Sequence, residues 1–404
     1  MNFSSLLKRS ALAAVLLAIA ALPMSSGVKR EVRSVWMATV WALDWPSSTS
    51  STTAQKNEMV KYLDVLQKNN FNAVYFQVRT MSDAFYKSSY EPWSSYLTGT
   101  RGKDPGWDPL AFVVEECHKR GMECHAWVNP YRFSTGSNWS TAQDQALKSA
   151  GMLLAYTKSD GKTTTILNPG LESVRKRIVD VCKEIISNYD VDGLVFDDYF
   201  YPEGIPVTSS AGDYDLWQKS GASMTFGDWR RNNVNQMVAD VYKMVQQQKP
   251  YVRFGISPAG NINTVYEKQY ADVYRWCSED GYLDYICPQV YFGLEHQTYD
   301  FKKVSNTFAG IIKNSSVELI IGMTLGKAKS GTDQYAGTGK YEWRDNKDVL
   351  VRCLEYTKSV KHCSGVAYFC YQYFYDPISG VSVTETKAER DKFIPLLKTI
   401  TWNE

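Results

Sequence analysis

A chain of 404 residues with 45 basic and 43 acidic side chains has a net charge of only +2, which excludes the basic face of a nucleic-acid binder and a polybasic membrane patch. Its length allows one large barrel or two domains. An aromatic fraction of 14%, with 27 Tyr and 12 Trp, suits flat apolar ligands such as sugars and equally a large aromatic core.

The N-terminus reads as a secretory signal. Lys8 and Arg9 precede a short apolar run over 10–22, and Ser25-Ser26-Gly27 places small residues at the cleavage position. Residues 1–27 are therefore assigned as signal peptide and 28–404 as one mature domain, exported to a periplasmic or extracellular location. The competing reading is an uncleaved anchor, although the run is short for a membrane span. No Cys follows it, so a lipid-anchoring motif is absent and no membrane insertion is expected after cleavage. Eight cysteines occur without a CxxC pair. Cys117, Cys182 and Cys353 fall on apolar helix faces, and Cys287 and Cys370 fall inside strands, which favours small buried hydrophobes over a disulfide framework. Four histidines in no zinc spacing leave no metal site, and no cofactor is implied.

In chain order, apolar runs over 32–41, 72–79 and 123–128 predict three strands, separated by helices with apolar faces at Met59, Tyr62, Leu63 and Leu66 and at Leu110, Val113, Val114 and Cys117. Gly121 is placed to stop the second helix. A long segment and a helix with Val174, Ile178, Val181 and Ile185 lead to a fourth strand, within 191–202. Further strands are predicted at 252–257, 283–292, 318–324 and 365–371, again alternating with helices. Eight strand–helix units with continuous apolar strands predict an α/β fold, a (β/α)8 TIM barrel with long βα loops. No GxGxxG or GxxxxGK[ST] follows a strand, which removes support for nucleotide folds.

Active sites of such barrels lie at the C-terminal strand ends. In order, those ends offer Trp41, Asp44 and Trp45; Gln77, Arg79 and Asp83; Asn129, Tyr131 and Arg132; Asp197, Asp198, Tyr199 and Tyr201; Ser257 and Asn261; Gln289, Tyr291 and Glu295; Thr324; and Tyr371, Gln372 and Tyr373. This is a polar, aromatic-walled cup with clustered acids, and glycoside hydrolysis fits it best. Two adjacent acids at the end of a buried strand are costly unless they have a task; a buried hydrogen-bonding post at the rim is the plainer alternative. Side chains alternate along a strand, so one acid of the pair should face the cup and the other support it. Asp198, nearer the rim, is favoured as proton donor. Arg79 and Arg132 have two readings, as ion-pair partners of the acids or as substrate contacts.

Arg33-Ser34-Val35-Trp36, Phe76-Gln77-Val78-Arg79, Trp127-Val128-Asn129-Pro130-Tyr131-Arg132, Leu167-Asn168-Pro169-Gly170, the run from Asp192-Gly193 through Phe196-Asp197-Asp198-Tyr199 to Pro202, Asp228-Trp229-Arg230-Arg231-Asn232-Asn233-Val234-Asn235 and Ile256-Ser257-Pro258 stand in an order that resembles glycosyl-hydrolase-like family ten. Members of that family include hydrolases of denuded peptidoglycan strands. The resemblance spans most of the mature chain and implies a TIM barrel, export and a glycan substrate. It carries Asp197 and Asp198 as the acid pair, and Gln77, Arg79, Asn129, Arg132, Arg231, Asn235, Gln289 and Tyr291 as the polar set around them.

Retaining barrel glycosidases often set a nucleophilic carboxylate on the seventh strand; here Ile320-Ile321-Gly322-Met323-Thr324 has none. Two schemes remain. The substrate's own N-acetyl group attacks the anomeric carbon, with Asp198 as acid/base and Asp197 holding the acetamide. Alternatively, Asp198 works with a distant acid, for which Glu295 is the candidate. The expected function is hydrolysis of an N-acetylhexosamine-containing glycan, with a non-catalytic carbohydrate-binding barrel, or a hydrolase of another cell-surface or dietary polysaccharide, as the alternatives.

Overall fold

The computed structural model describes residues 31–49, 51–134, 141–157, 161–376 and 382–402. The expected signal peptide lies outside the described residues. Eight parallel strands close into a barrel: β1 (Val32–Met37), β2 (Ala73–Arg79), β3 (Glu123–Val128), β4 (Gly193–Phe196), β5 (Arg253–Ile256), β6 (Tyr285–Ile286), β7 (Glu318–Thr324) and β8 (Cys363–Phe369). Neighbours follow chain order, and β8 closes the ring on β1, with Val32 opposite Gly365 and Val35 opposite Tyr368. The TIM barrel expected from strand–helix alternation is the fold observed.

Local chemistry sets the helix boundaries. Ser51 caps Thr52–Lys68 by accepting from the Ala54 amide at 3.2 Å, and Asp108 caps Pro109–His118, whose first residue is the Pro favoured there. Gly121 turns the chain after that helix at φ +66°, a conformation that costs glycine little. Thr225 caps the long helix Phe226–Gln248 and puts Asp228 in its first turn, where the helix dipole favours an acid. The apolar faces of these helices close over the barrel wall in one core. All eight cysteines are buried as free thiols, as their placement on apolar faces suggested.

Two segments depart from expectation. The strand expected over 283–292 is reduced to Tyr285–Ile286, because Pro288 has no amide for the ladder. Gln289 nevertheless bridges Ala259 and Gly322, and so takes a fixed place on the rim. Between β3 and β4, three short strands, Arg132–Ser134, Leu153–Thr157 and Thr163–Leu167, form an antiparallel sheet with the third in the middle. Thr-rich and only partly apolar, they carry little periodic signal.

The barrel interior is aromatic. Trp36 packs edge-on against Tyr75 and Trp127, with ring centroids at 4.8 and 4.9 Å. Gly193 faces the His125 ring and Gly255 the Tyr285 ring, so closely that a Cβ at either glycine would overlap the ring. Below the rim the barrel is thus filled, and Trp36 and Trp127 become the floor of whatever opens above. Gly255→Ala should destabilise the fold by roughly 2–3 kcal/mol through overpacking, read as a lowered urea midpoint with an unchanged slope.

Candidate active site

Above that floor, at the C-terminal strand ends, lies a solvent-open cavity of about 200 Å3. Trp36, Trp127, Ala38, Val40, Leu43 and Phe369 give it apolar walls, and Gln77, Arg132, Asp197, Asp198, Tyr199, Ser257, Gln289 and Tyr291 give it polar ones, with Trp41 at its edge. Asp197 and Asp198 are the only carboxylates lining it among the described residues.

β4 ends at Phe196, so strand alternation no longer governs the two residues that follow. A turn closed by the Phe200 amide on the Asp198 carbonyl at 3.1 Å lets both acids line the cavity, where alternation had placed only one. Asp197, 3% exposed, is the more tightly held. Its Oδ2 accepts from the Trp127 indole N–H at 2.9 Å and the Asn129 amide at 3.3 Å, and its Oδ1 from the Tyr199 backbone N–H at 3.3 Å. Asp198 Oδ1 accepts from Gln289 Nε2 at 3.0 Å, and the same amide reaches the Ser257 carbonyl at 3.3 Å.

Burial raises both carboxyls above the usual range. For Asp197 burial is the main cause and the Asp198 charge adds to it; Arg132 and the Trp127 hydrogen bond oppose them, and the result is about 7. Two such neighbours titrate as a pair, so the proton that burial favours belongs to the pair and not to one acid. One protonated and one ionised carboxyl on a single wall make an acid and a hydrogen-bond acceptor side by side.

The rim of β1 is strained. Trp41 and Ala42 sit at φ +55° and +50°, a left-handed geometry that costs non-glycine residues of order 1 kcal/mol or more each. Gln77 pins the turn that leads into them, its Oε1 accepting from the Thr39 and Val40 amides at 3.0 and 2.9 Å. Trp41 thereby stands 56% exposed at the mouth, beside Tyr199 at 42%. Asp44, fully buried, ties this rim to the residues after β8 through the Ala38 and Gln372 amides at 2.6 and 2.7 Å.

Of the residues named from sequence, Trp41, Gln77, Arg132, Asp197, Asp198, Tyr199, Gln289 and Tyr291 come together in the cavity, and Asn129 stands directly behind Asp197. The rest lie elsewhere. Arg79, with no exposure, pairs with Glu91 at 2.9 Å and donates to the Asn129 and Pro130 carbonyls, so it braces the loop after β3 rather than either acid of the pair. Tyr131 is buried in the outer core, and Tyr201 donates to Asp213, which pairs with Arg230 at 2.6 Å. Arg231 and Asn235 lie on the helix Phe226–Gln248, bonded to Asp228 and Trp276. Tyr371 stacks on Tyr62 at 4.1 Å between barrel and helix. Glu295 is exposed and lines no part of the cavity. The largest omission is Trp127, the donor to Asp197. Alternation back from Asn129 along β3 puts it on the same face and was the signal for it.

Residues 31–336 match the glycosyl hydrolase-like 10 family. The chain belongs to that family. It is 38% identical over 361 residues to the glycosyl hydrolase YngK of Bacillus subtilis (strain 168), covering 83% of this chain and 68% of that protein. It is 34% identical over 384 residues to the glycosyl hydrolase DigH of Escherichia coli (strain K12), covering 87% of this chain and 86% of the relative. The fold resembles the glycoside hydrolase domain of PgaB (BpsB) from Bordetella bronchiseptica, with a TM-score of 0.57 at 12% identity, covering 90% and 98% of the two chains. The catalytic domain of a Paenibacillus polymyxa β-amylase gives 0.56 at 12% identity, covering 92% and 100%. These two likenesses concern the fold alone. By family this protein is a glycoside hydrolase acting on a glycan.

The raised acid pair has a measurable stability signature. A carboxyl whose folded pKa lies above its unfolded value stabilises the fold fully below the unfolded pKa, near 4, and loses that contribution as pH rises through about 7. Asp197→Asn cannot ionise. Its unfolding free energy should fall less than wild type's between pH 4 and 8, by on the order of 2–4 kcal/mol, measured by urea titration at both pH values. Trp41→Gly removes the aromatic face and relieves the left-handed backbone together. It should keep or raise Tm while lowering kcat/KM on a glycan about tenfold, a combination that a purely structural tryptophan would not give.

Proposed function

We propose that this protein is an exported glycosidase that cleaves N-acetylhexosamine-containing strands, with peptide-free peptidoglycan as the substrate class, and that Asp198 is its general acid/base. The observation that carries the reading is that the cavity's carboxylates stand next to each other at the end of β4, while β7 ends in Thr324, whose hydroxyl is committed to the Phe369 carbonyl at 2.7 Å. With no other acid lining the cavity among the described residues, the nucleophile in this reading comes from the substrate.

In this scheme the acetamido carbonyl oxygen of the sugar attacks its own C1. The C1–O bond to the leaving sugar breaks, and that oxygen takes the proton from Asp198. Asp197, fixed by Trp127, Asn129 and the Tyr199 amide, accepts the acetamide N–H and stabilises the positive charge of the oxazolinium ring. Water then attacks C1 as the Asp198 carboxylate takes its proton, and the ring reopens. Asp197 is held by three donors and Asp198 by one side-chain amide, which supports the fixed clamp for the first and the proton carrier for the second. The aromatic floor and Trp41 suit sugar faces. DigH and YngK, named as glycosyl hydrolases, support the reaction class. The basic and apolar N-terminal run supports export, and no helix among the described residues is long and apolar enough to cross a membrane.

Amidase-treated peptidoglycan strands incubated with wild type should release oligosaccharides, and Asp198→Asn should lower the rate by roughly 100-fold or more. A thiazoline mimic of the oxazolinium ring should inhibit competitively. Cleavage by wild type without such inhibition removes the substrate-assisted scheme. Binding without any product favours a carbohydrate-binding barrel.

A further inference from the structure

The polar run from Asp228 to Asn235 does not reach the mouth. Four of its side chains, Asp228, Arg231, Asn232 and Asn235, instead line a second hollow of about 470 Å3, against about 200 Å3 at the mouth. The facing wall comes from the chain after β5, with Tyr266 on the helix Ile262–Glu267, Asp272 as the cap of the helix Val273–Trp276, and Tyr274 and Arg275 on that helix. The helix Phe226–Gln248 begins where the loop after β4 ends, so its first turns lie at the C-terminal end of the barrel, the same end as the mouth. The Tyr201 amide donates to the Gln269 carbonyl at 3.3 Å and joins the wall that carries Tyr199 to the segment that carries Tyr266 and Tyr274. The hollow therefore lies behind the Tyr199 wall, on the outside of the barrel.

Its chemistry suits a sugar chain. The Arg231 guanidinium lies 4.2 Å from the Tyr266 ring centroid, and that ring meets Tyr274 edge-on at 5.5 Å. The stack leaves Tyr274 40% exposed, with Met224 at 38% lining the same hollow. Of the large apolar side chains that face solvent, Trp41 and Tyr199 share the mouth, and Met224 and Tyr274 share this hollow. An exposed tyrosine offers a flat face to the C–H side of a sugar ring. Both cations are already matched, Arg231 by Asp228 at 2.8 Å and Arg275 by Glu279 at 3.2 Å. Asp272 accepts from the Arg275 backbone amide at 3.1 Å and from the Asn235 side chain at 3.4 Å. An anionic ligand would have to break these pairs, whereas hydroxyl and acetamido groups can use the remaining carboxylate lone pairs and the Asn232 amide.

We propose that this hollow is a second glycan-binding site, separate from the catalytic cavity, which holds a distant stretch of the same polysaccharide chain that the mouth cuts. This rests on the hydrolase reading above and adds a second hold on its substrate. A chain anchored there is presented to the mouth at a raised effective concentration, so the gain appears only with chains long enough to span both sites.

The test compares long amidase-treated strands with tetrasaccharides cut from them, for wild type and for a double variant, Tyr274→Ala with Asn232→Ala. Neither side chain is buried, so Tm should not change. The double variant should raise KM for long strands about tenfold while leaving kcat, and should leave kcat/KM for the tetrasaccharide unchanged. An unaltered KM for long strands, or an equal loss on both lengths, overturns the site. A changed sedimentation velocity with an unaltered KM assigns the hollow to a second copy of the chain and overturns it as well. Affinity electrophoresis through gels that contain long strands, with Asp198→Asn as the background to prevent cleavage, separates the site from the hydrolase reading. Retardation that is weakened by the double substitution, with no product from wild type, sinks the hydrolase and keeps the site; cleavage by wild type, with retardation that the double substitution leaves alone, does the reverse.

Discussion

Two carboxyls side by side in a place with little water form the constraint around which the rest of the molecule is arranged. Left to burial alone, both would be neutral; in open solvent, both would be ionised. The site holds them between these limits with a small set of donors and one positive charge: the Trp127 indole, the Asn129 and Gln289 amides, the Tyr199 backbone and Arg132. Trp127, Asn129 and Arg132 come from the end of β3 and the loop after it, Tyr199 from the turn after β4, and Gln289 from the segment after β6. The electrostatic balance therefore depends on the rim keeping its shape to within a hydrogen bond's tolerance.

The barrel supplies that rigidity through a second ring of buried polar contacts. Glu91 joins Arg79 and Arg177, at 2.9 and 3.1 Å, beneath the loop that carries Asn129 and Arg132. Asp213 and Arg230 brace Tyr201 after β4. Asp44 stitches the rim across the β1–β8 closure. None of these residues lines the cavity, yet each fixes a segment that does. Replacing one of them would act on the reaction through geometry and not through contact with the sugar.

This division explains what could be read from the sequence. The barrel was legible because its strands are short, continuous apolar runs set off by amphipathic helices, and β3 and β7 match the predicted bounds residue for residue. The acid pair was legible because adjacent acids after an apolar strand have few inexpensive explanations. Its orientation was not, because alternation is a property of strands and β4 stops one residue too early. Arg79, Arg231 and Asn235 were grouped with the site because polar residues in a family motif look alike whether they touch the ligand or hold the loop that does. Only the fold separates them: Arg79 is closed off behind the rim, while Arg231 and Asn235 sit on an outer helix. Glu295 follows the sixth strand in sequence, but the chain lines the mouth only as far as Tyr291, and Glu295 is exposed outside it.

The way the barrel closes has a practical side. The Trp402 amide donates to Glu31 Oε1 at 3.0 Å, and Asn70 Nδ2 donates to the Leu397 carbonyl at 2.6 Å, so the first and last described residues are neighbours. Glu31 leads into the N-terminal end of β1, the end of the barrel away from the cavity. A support or a fusion partner attached at either of these points would therefore leave the mouth pointing outward, free to meet a long glycan.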